Sequence, residues 1–413
     1  MTWRRMAALA VAVLAPAALA AQATPSPPAG AAPQVFRSAV DLVRVDVQVI
    51  GNDGHPMLGL GIDDFDVGID GSARRVVSAE LVQFSPAVDI VNTVRPVRTP
   101  GEIPSDSRVY VLAIDLAAFP TGEIQSVRQA VRRFLSQLRP QDLVALYAFP
   151  YRTPALDLTH DHSSIAFAVD RLVGLRTDRP GVFHLTPSEI IDITAGDDAT
   201  LGRVFRRECV GADINDPNCL LAIQTEASSL ASYLEAESSE RLHALSNLVR
   251  RLSVVQGRKT VVLLSGGMIN STRTVGRPDV TSLISAVGAE TANSQTSLYV
   301  LHWDTSWDDT FSANAPTSRR PADRFRSSFA DRDAVGHGLE MFAGKAGGAL
   351  YRIAGGTGDL VFDRVLRETT AYYLLGVEPT ARDRDGRLHF IRVGVKPGGA
   401  TVRSRTQVVI PVK

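Results

Sequence analysis

Three side chains that could do chemistry follow predicted strands of this sequence. Asp115 ends the run Val109–Asp115, whose continuous apolar residues are typical of a strand buried on both faces. Ser265 follows a second such run, Lys259–Leu264, and Asp304 follows a third. Open α/β sheets bind their ligands at the carboxyl ends of the strands, so Asp115 marks the edge where a site is expected.

Ser265 is the one candidate nucleophile at that edge. It lies in Leu-Leu-Ser-Gly-Gly, which resembles the nucleophile elbow of hydrolases only loosely, because Leu263 stands where that motif has Gly. A Ser after a buried strand is more often a helix cap. His160 and His162 are two residues apart, a spacing that would share a face on a strand, but no third zinc ligand is evident. No Walker, dinucleotide-binding or zinc-protease motif is present. The sequence therefore predicts a non-enzymatic protein, with a serine hydrolase as a remote alternative.

Composition is that of an ordinary globular protein. The 413 residues are 45% hydrophobic and 21% charged, and 44 Lys and Arg balance 44 Asp and Glu. A net charge of zero does not favour nucleic acid as a partner.

The N-terminus has the pattern of a secretory signal. Arg4 and Arg5 precede an apolar run over Met6–Leu14, and Ala18-Leu19-Ala20 is a small-x-small cleavage pattern. We predict a signal peptide at 1–20 and a disordered, Pro/Ala-rich linker at 21–34. An uncleaved anchor is the alternative. No other segment reaches the roughly 20 apolar residues of a spanning helix, so the mature chain is predicted to be exported, periplasmic or extracellular, with no membrane span.

The two cysteines of the chain, Cys209 and Cys219, are ten residues apart. In an oxidising compartment they could close a small disulfide loop. Such a bridge would stabilise the fold by about 3 kcal/mol at best.

Hydrophobic periodicity predicts an α/β fold flanked by β segments. Alternating apolar residues precede and follow a central βα alternation, and the simplest solution pairs the terminal strands with each other. We predict a doubly wound, mostly parallel sheet with an accompanying β-sandwich. The predicted segments are N-terminal strands at 35–85, a linker at 86–107, an α/β domain at 108–370 with insertions at 174–224 and 304–335, and C-terminal strands at 371–413 that pack with 35–85.

The order of several sequence blocks resembles the von Willebrand factor type A (VWA) family, and more closely an exported, acidobacterial-type group of VWA-related proteins. The blocks are the strand and Asp115 with the helix that follows, Leu42-Val43-Arg44-Val45 with Asn52-Asp53-Gly54, Gly257-Arg258-Lys259-Thr260 with the strand that follows, and Tyr372-Tyr373-Leu374-Leu375-Gly376. Together they span nearly the whole predicted mature chain.

The resemblance implies a divalent-cation site that this sequence has largely lost. The family motif is Asp-x-Ser-x-Ser, with a Thr and an Asp on neighbouring loops. Asp115 matches its first residue, but Ala117 and Phe119 replace both Ser, and Gly266 stands where the late Asp is expected. Thr159 is the candidate for the Thr. Ala and Phe side chains offer no oxygen to magnesium, so no metal or other cofactor is expected.

Two interpretations of function follow from this degenerate motif. The first is an exported, non-enzymatic protein that binds protein partners without a metal through loops on a rigid scaffold. The second is metal-dependent adhesion through a non-standard cation site, with Asp115, Thr159, Ser265 and Asp304 as candidate ligands. Asp308 and Asp309 follow Asp304 in a polar loop, where solvated acidic residues are the simpler interpretation.

Overall fold

The long apolar runs of the central segment form one six-stranded sheet in the computed structural model. The structure describes residues 42–84, 107–150, 155–177, 181–209, 211, 217–255, 257–294, 296–304, 321–354 and 358–412. The strands of this sheet are β4 (Val109–Asp115), β5 (Leu143–Phe149), β6 (Ala155–Thr159), β7 (Lys259–Ser265), β8 (Thr296–Trp303) and β9 (Ala349–Ile353). Every residue of β4 and β7 is buried, which explains why both strands are apolar almost throughout.

The strand order is β6-β5-β4-β7-β8-β9, with β4 and β7 at the centre. All neighbouring pairs are parallel except β5 and β6, which are antiparallel. Counted from β4, this is the order 3-2-1-4-5-6 of doubly wound folds. The prediction of a doubly wound, mostly parallel sheet is therefore confirmed at the level of sheet order.

Helices pack on both faces of this sheet. The described α-helices are α1 (Ile124–Ser136), α2 (His162–Asp170), α3 (Pro187–Thr194), α4 (Asp198–Glu208), α5 (Pro217–Ser253), α6 (Thr281–Asn293), α7 (Pro321–Lys345) and α8 (Gly358–Glu368). One apolar core lies against α1, α2 and α8, and includes Leu112 and Phe134. The other lies against α5, α6 and α7, and includes Leu263 and Phe342. Alternate residues of each central strand thus enter opposite cores.

The terminal strands meet in a second, antiparallel sheet. Its strands are β1 (Val43–Ile50), β2 (Phe65–Ile69), β3 (Ser72–Gln83), β10 (Ala371–Glu378), β11 (Leu388–Val395), β12 (Thr401–Ser404) and β13 (Gln407–Val409). The order is β12-β1-β10-β3-β2-β11-β13, which places a C-terminal strand between two N-terminal ones. The sheet curls around its own core, which includes Val45, Ile69 and Leu375. The predicted pairing of the chain's two ends is confirmed, but the described strands form one continuous sheet, so the finer prediction of a β-sandwich is not.

Asp41–Lys413 form one compact unit that contains both sheets. The predicted signal peptide and first linker lie outside the described residues, as does the second linker except for Ser107. No helix among the described residues is both long enough and apolar enough to cross a bilayer.

The segment predicted as a first insertion is helical where it is described. It contains α3, α4 and the first turns of α5, which share a small apolar core of their own that includes Val204, Phe205 and Ile223. Cys209 caps the C-terminal end of α4, and Cys219 lies in the first turn of α5. The two cysteines are joined in a disulfide. The bridge therefore ties the start of the long helix α5 to this small core.

The antiparallel sheet contains a histidine held between two carboxylates. His389 on β11 lies 2.8 Å from Asp70 through Nδ1 and 3.0 Å from Asp385 through Nε2. The hydrogen bond with Asp70, reinforced by Asp385, raises the pKa of His389. A raised histidine pKa contributes stability that is fully present below the unfolded value of about 6.5 and is lost as pH rises through the folded value.

We therefore expect His389→Gln to flatten the pH dependence of stability above about pH 6.5. Wild type should lose unfolding free energy relative to the variant as pH rises toward 9, because the imidazolium loses its proton. Urea unfolding at several pH values measures this. His243→Gln, at an exposed position on α5, is the control. An unchanged slope in His389→Gln would contradict the prediction.

Candidate functional site

The carboxyl edge of the parallel sheet carries a buried cluster of one carboxylate, one hydroxyl and one guanidinium. Asp115 ends β4, and its Oδ2 accepts a 2.8 Å hydrogen bond from Ser265 Oγ at the end of the neighbouring β7. Arg241, from the middle of α5, approaches the same oxygen through Nη1 at 3.3 Å. The same Nη1 donates to the carbonyl of Gly267 at 2.8 Å. A side-chain cation thus bridges the strand that ends in Asp115 and the loop after Ser265.

All three groups are removed from water, with Asp115, Ser265 and Arg241 only 1%, 0% and 5% exposed. Burial raises the pKa of Asp115, and the guanidinium of Arg241 and the hydroxyl of Ser265 oppose that rise. Burial also raises the pKa of Glu237, one turn before Arg241 on α5, and Arg241 again opposes it. Arg241 is therefore the charge that compensates the acidic groups at this edge.

Packing leaves no room for ligand side chains at the positions where the resemblance expects them. Ala117 and Phe119 are 4% and 0% exposed, and Phe119 packs into the apolar core on the α1 side of the sheet. A Cβ atom added at Gly266 would lie 2.2 Å from the carbonyl oxygen of Ala118. Any side chain at Gly266 would therefore collide with the backbone after β4, and the Asp expected by resemblance does not fit.

Thr159 lies at the opposite edge of the sheet from Asp115. It pairs with Val144 near the start of β5, whereas Asp115 pairs with Phe149 at the end of that strand. The reason is that β6 runs antiparallel, so its last residue lies at the amino edge of the parallel strands. The Thr159 hydroxyl accepts a 3.0 Å hydrogen bond from the backbone N–H of Asp161. The structure therefore does not bring Thr159 to the site.

Asp304 lies at the carboxyl edge, two strands away from Asp115 in sheet order. Its backbone N–H donates to the Ile353 carbonyl at 2.8 Å, which continues the β8–β9 pairing. Its carboxylate forms a 2.8 Å ion pair with Arg332 of α7. Asp308 and Asp309 lie outside the described residues. Of the three acidic residues after β8, the structure therefore describes only Asp304, and its carboxylate already pairs with Arg332.

The donor set around Asp115 does not suit a divalent cation. Magnesium requires near-octahedral oxygen ligands, and here one carboxylate and one hydroxyl meet a guanidinium. The described residues contain no group of three His, Cys, Asp or Glu side chains that could hold a metal ion. The observed chemistry at this edge is instead internal charge compensation.

Ser265 is placed as a structural hydroxyl rather than as a nucleophile. Its Oγ donates to Asp115 and accepts from the Gly267 N–H at 3.2 Å. His302 is its neighbour on β8, yet no hydrogen bond joins the two side chains. Burial lowers the pKa of His302, which packs at 1% exposure. No histidine among the described residues reaches the Ser265 hydroxyl as a general base. The acceptor of that hydroxyl is the Asp115 carboxylate, which already faces the guanidinium of Arg241.

Arg241 is the site residue that the sequence analysis missed, although its position carried a signal. The buried apolar face of α5 contains Leu245, Leu248 and Leu252. Arg241 precedes these residues by four, seven and eleven positions, which is the spacing of one helix face. A charged residue in register with a buried stripe predicts a buried partner of opposite charge, and Asp115 is that partner.

The helical insertion packs over the loops that follow β7. Ser188 at the start of α3 donates to Asp331 of α7 at 2.6 Å. Thr194 at its end exchanges hydrogen bonds with the backbone of Arg277 at 2.9 and 3.0 Å. Arg273, in the same loop as Arg277, forms a 2.7 Å ion pair with Asp192. The insertion is thus fixed to the carboxyl edge by polar contacts at both ends of α3.

The strand order and the site define a doubly wound α/β domain joined to an antiparallel sheet. No protein-family model and no curated protein matches the sequence. Among solved structures, the chain is similar to one titled "Crystal Structure of the SpRpn10 VWA domain", with a TM-score of 0.28 and 11% sequence identity. That similarity covers 62% of this chain and 93% of the other. A similarity with so low a TM-score and identity supports no inference about this chain.

Proposed function

We propose that this chain is an exported, non-enzymatic VWA-related protein that binds protein partners without a metal ion. The observation that carries the proposal is the guanidinium of Arg241, which contacts Asp115 at the edge where the family's cation would bind. The fixed positive charge of Arg241 lies beside that carboxylate and neutralises it, as a divalent cation would do. A metal is then not required to hold the loops of the site together.

Export is supported by two features of the chain. The first is the signal-like N-terminal sequence, with its basic, apolar and small-x-small regions. The second is the disulfide between Cys209 and Cys219, since such bonds persist in oxidising compartments.

Partner binding is assigned to the helical insertion and the loops beneath it. These are surface segments fixed on a rigid sheet, the usual location of binding residues. They expose large apolar side chains, with Val182 78%, Leu221 62% and Val275 81% exposed. Substituting each of these by Asp should weaken partner binding without unfolding the domain, because none of them belongs to a core.

Metal-dependent adhesion is the second candidate function. It would require Arg241 to leave Asp115 so that an ion could enter, and Thr159 lies too far along the sheet to assist. The serine hydrolase hypothesis would require Ser265, which is fully buried, to reach a substrate. Labelling by a serine-reactive probe that is lost in Ser265→Ala would support that hypothesis against ours.

The expected result of a metal test is no change in thermal stability. A ligand that binds the folded state alone stabilises it by about 2.7 kcal/mol at a hundredfold excess over its dissociation constant. We expect the melting midpoint of the mature protein to be the same in EDTA as in magnesium, manganese or calcium. A rise that disappears in Asp115→Ala would instead favour metal-dependent adhesion.

Partner capture completes the test. The mature protein, immobilised, should retain the same partners from envelope and secreted fractions in EDTA and in magnesium. Capture should fall in Leu221→Asp and Val275→Asp and persist in Val254→Asp, an equally exposed apolar position just past the other end of α5. Equal capture by all three variants would contradict the assignment of binding to the insertion.

A further inference from the structure

A cavity lies between the two sheets, at the amino edge of the parallel one and far along the strands from Asp115. One wall comes from β1 and β12 of the antiparallel sheet, and the other from the residues before β7, the start of β8 and the turn after α7. Its volume is about 30 Å³, and the exposed Arg44 is among its lining residues, so it reaches the surface. A water needs about 10–15 Å³ on this measure, so the cavity has room for an ion-sized group.

The cavity is lined by four arginines and a single carboxylate. The arginines are Arg44, Arg258, Arg403 and Arg405, and the carboxylate is Asp46. Arg403 already has an acidic partner, because it forms an ion pair with the fully buried Glu368, which it shares with Arg364, and it donates to Tyr351 Oη at 2.9 Å. The remaining positive charge of the cavity is therefore that of Arg44, Arg258 and Arg405.

Arg258 and Arg405 have no carboxylate within ion-pair distance among the residues that the structure describes. Arg258 donates to the Ser297 hydroxyl and stacks over the Tyr372 ring, with 4.8 Å from its Cζ to the ring centroid. Arg405 donates to the Arg44 carbonyl, and its Nε has no hydrogen-bond partner among the described residues. No ion pair joins either guanidinium to an acidic side chain in the described part of the chain.

A fully buried cation next to these two partly buried arginines adds to this excess. Lys259 follows Arg258, is 1% exposed, and donates through Nζ to the Val255 carbonyl at 2.8 Å. Burial lowers the pKa of Lys259 to about 8, and burial also lowers the pKa of Arg258 and of Arg405. In each case the attraction of Asp46 does not offset the loss of hydration. Cations held away from water without a counter-charge are costly, unless an anion binds among them.

We propose that this cavity binds a phosphate-type oxyanion, held by the guanidinium groups of Arg258 and Arg405. Guanidinium groups match the geometry of phosphate oxygens and form charge-assisted hydrogen bonds with them. Ser297 and Ser404 also line the cavity. The Ser297 hydroxyl accepts from Arg258, so its own proton is left to donate to an anion. The small volume favours a single tetrahedral group, either free phosphate or the terminal group of a phosphomonoester. Bound there, the anion would link the two sheets through β12 and the residues before β7.

Thermal melts of the mature protein with inorganic phosphate test this proposal. We expect phosphate to raise the melting midpoint by at least about 2 °C over sodium chloride of equal ionic strength. Arg405→Met should abolish that rise. Without phosphate, the same variant should melt no lower than wild type, because it removes an uncompensated cation. Arg392→Met, at an exposed position on β11, changes the net charge equally and should keep the full rise.

A second arm separates the two sources of phosphate. Glycerol 3-phosphate that stabilises as well as inorganic phosphate would assign the site to a phosphomonoester group, and stabilisation by inorganic phosphate alone would assign it to the free ion. The proposal is overturned if phosphate stabilises no more than chloride, or stabilises Arg405→Met as much as Arg392→Met. Titration calorimetry with inorganic phosphate gives a readout independent of stability, with binding expected in wild type and lost in Arg258→Gln.

Discussion

Replacing Arg241 by methionine is expected to cost about 3–5 kcal/mol of unfolding free energy at pH 8. Methionine fills a similar volume but leaves Asp115 buried at 1% exposure with Ser265 as its main partner. Removing one partner of a buried ion pair is strongly destabilising, because the charge of the other partner is left uncompensated. Urea denaturation of wild type and variant measures the difference.

The deficit of Arg241→Met should shrink as the pH is lowered from 8 to 5. Burial already raises the pKa of Asp115, and loss of the guanidinium raises it further. The native state then binds a proton that the unfolded state, with its pKa near 3.9, has released. Stability therefore falls as pH rises between these two values, and recovers toward acid. A deficit that is independent of pH would contradict this account.

Two further variants make the Arg241 prediction specific. Asp115→Asn combined with Arg241→Met removes both charges and should recover most of the lost stability, since an uncharged pair needs no compensation. Arg250→Met lies on the same helix, but its side chain is 65% exposed and its ion pair with Glu290 is long, at 3.9 Å. That control should cost less than about 0.5 kcal/mol. A large loss in Arg250→Met would show that α5 is sensitive to any such change.

Asp142→Asn is expected to cost a similar amount, about 3–5 kcal/mol at pH 7. Asp142 is 0% exposed and holds two arginines at the amino edge of the sheet, with Arg108 Nη2 at 2.5 Å and Arg139 Nη2 at 2.7 Å. It also accepts from the backbone N–H of both residues. Asparagine offers one acceptor oxygen in place of two and leaves the guanidinium groups without a counter-charge.

The pH dependence of the Asp142 prediction has the opposite sign. Burial alone would raise the pKa of Asp142, but Arg108 and Arg139 outweigh it and lower that pKa. The carboxylate therefore contributes stability above the unfolded value of about 3.9, and this is lost as pH falls through the folded value. The gap between wild type and Asp142→Asn should thus narrow below about pH 4.

An exposed ion pair provides the matched control for Asp142. Asp157 lies 3.4 Å from Arg251, and its side chain is 96% exposed. Asp157→Asn makes the same chemical change and should alter the unfolding free energy by no more than about 0.5 kcal/mol. Equal losses in Asp142→Asn and Asp157→Asn would show that burial does not set the cost.

Much of the architecture was predictable because burial leaves a direct record in the sequence. The apolar runs at β4 and β7 are continuous since both faces of the strands are covered, and the alternation in β1 reflects one covered face. The sequence also shows by residue type alone that positions 117 and 119 offer no ligand oxygen, because Ala and Phe side chains have none. These properties depend on residue type and local period alone.

The tertiary structure decided which polar groups meet. Thr159 was misplaced because nothing in its local pattern distinguishes a parallel from an antiparallel third strand, and the direction of β6 sets the edge where it lies. Arg241 is 126 residues from Asp115 in sequence, and only the packing of α5 against the sheet brings the two charges together. The cavity arginines come from the two sheets in the same way. Contacts between distant segments depend on chain direction and packing, which short-range patterns do not encode, and the chemistry of this protein lies in those contacts.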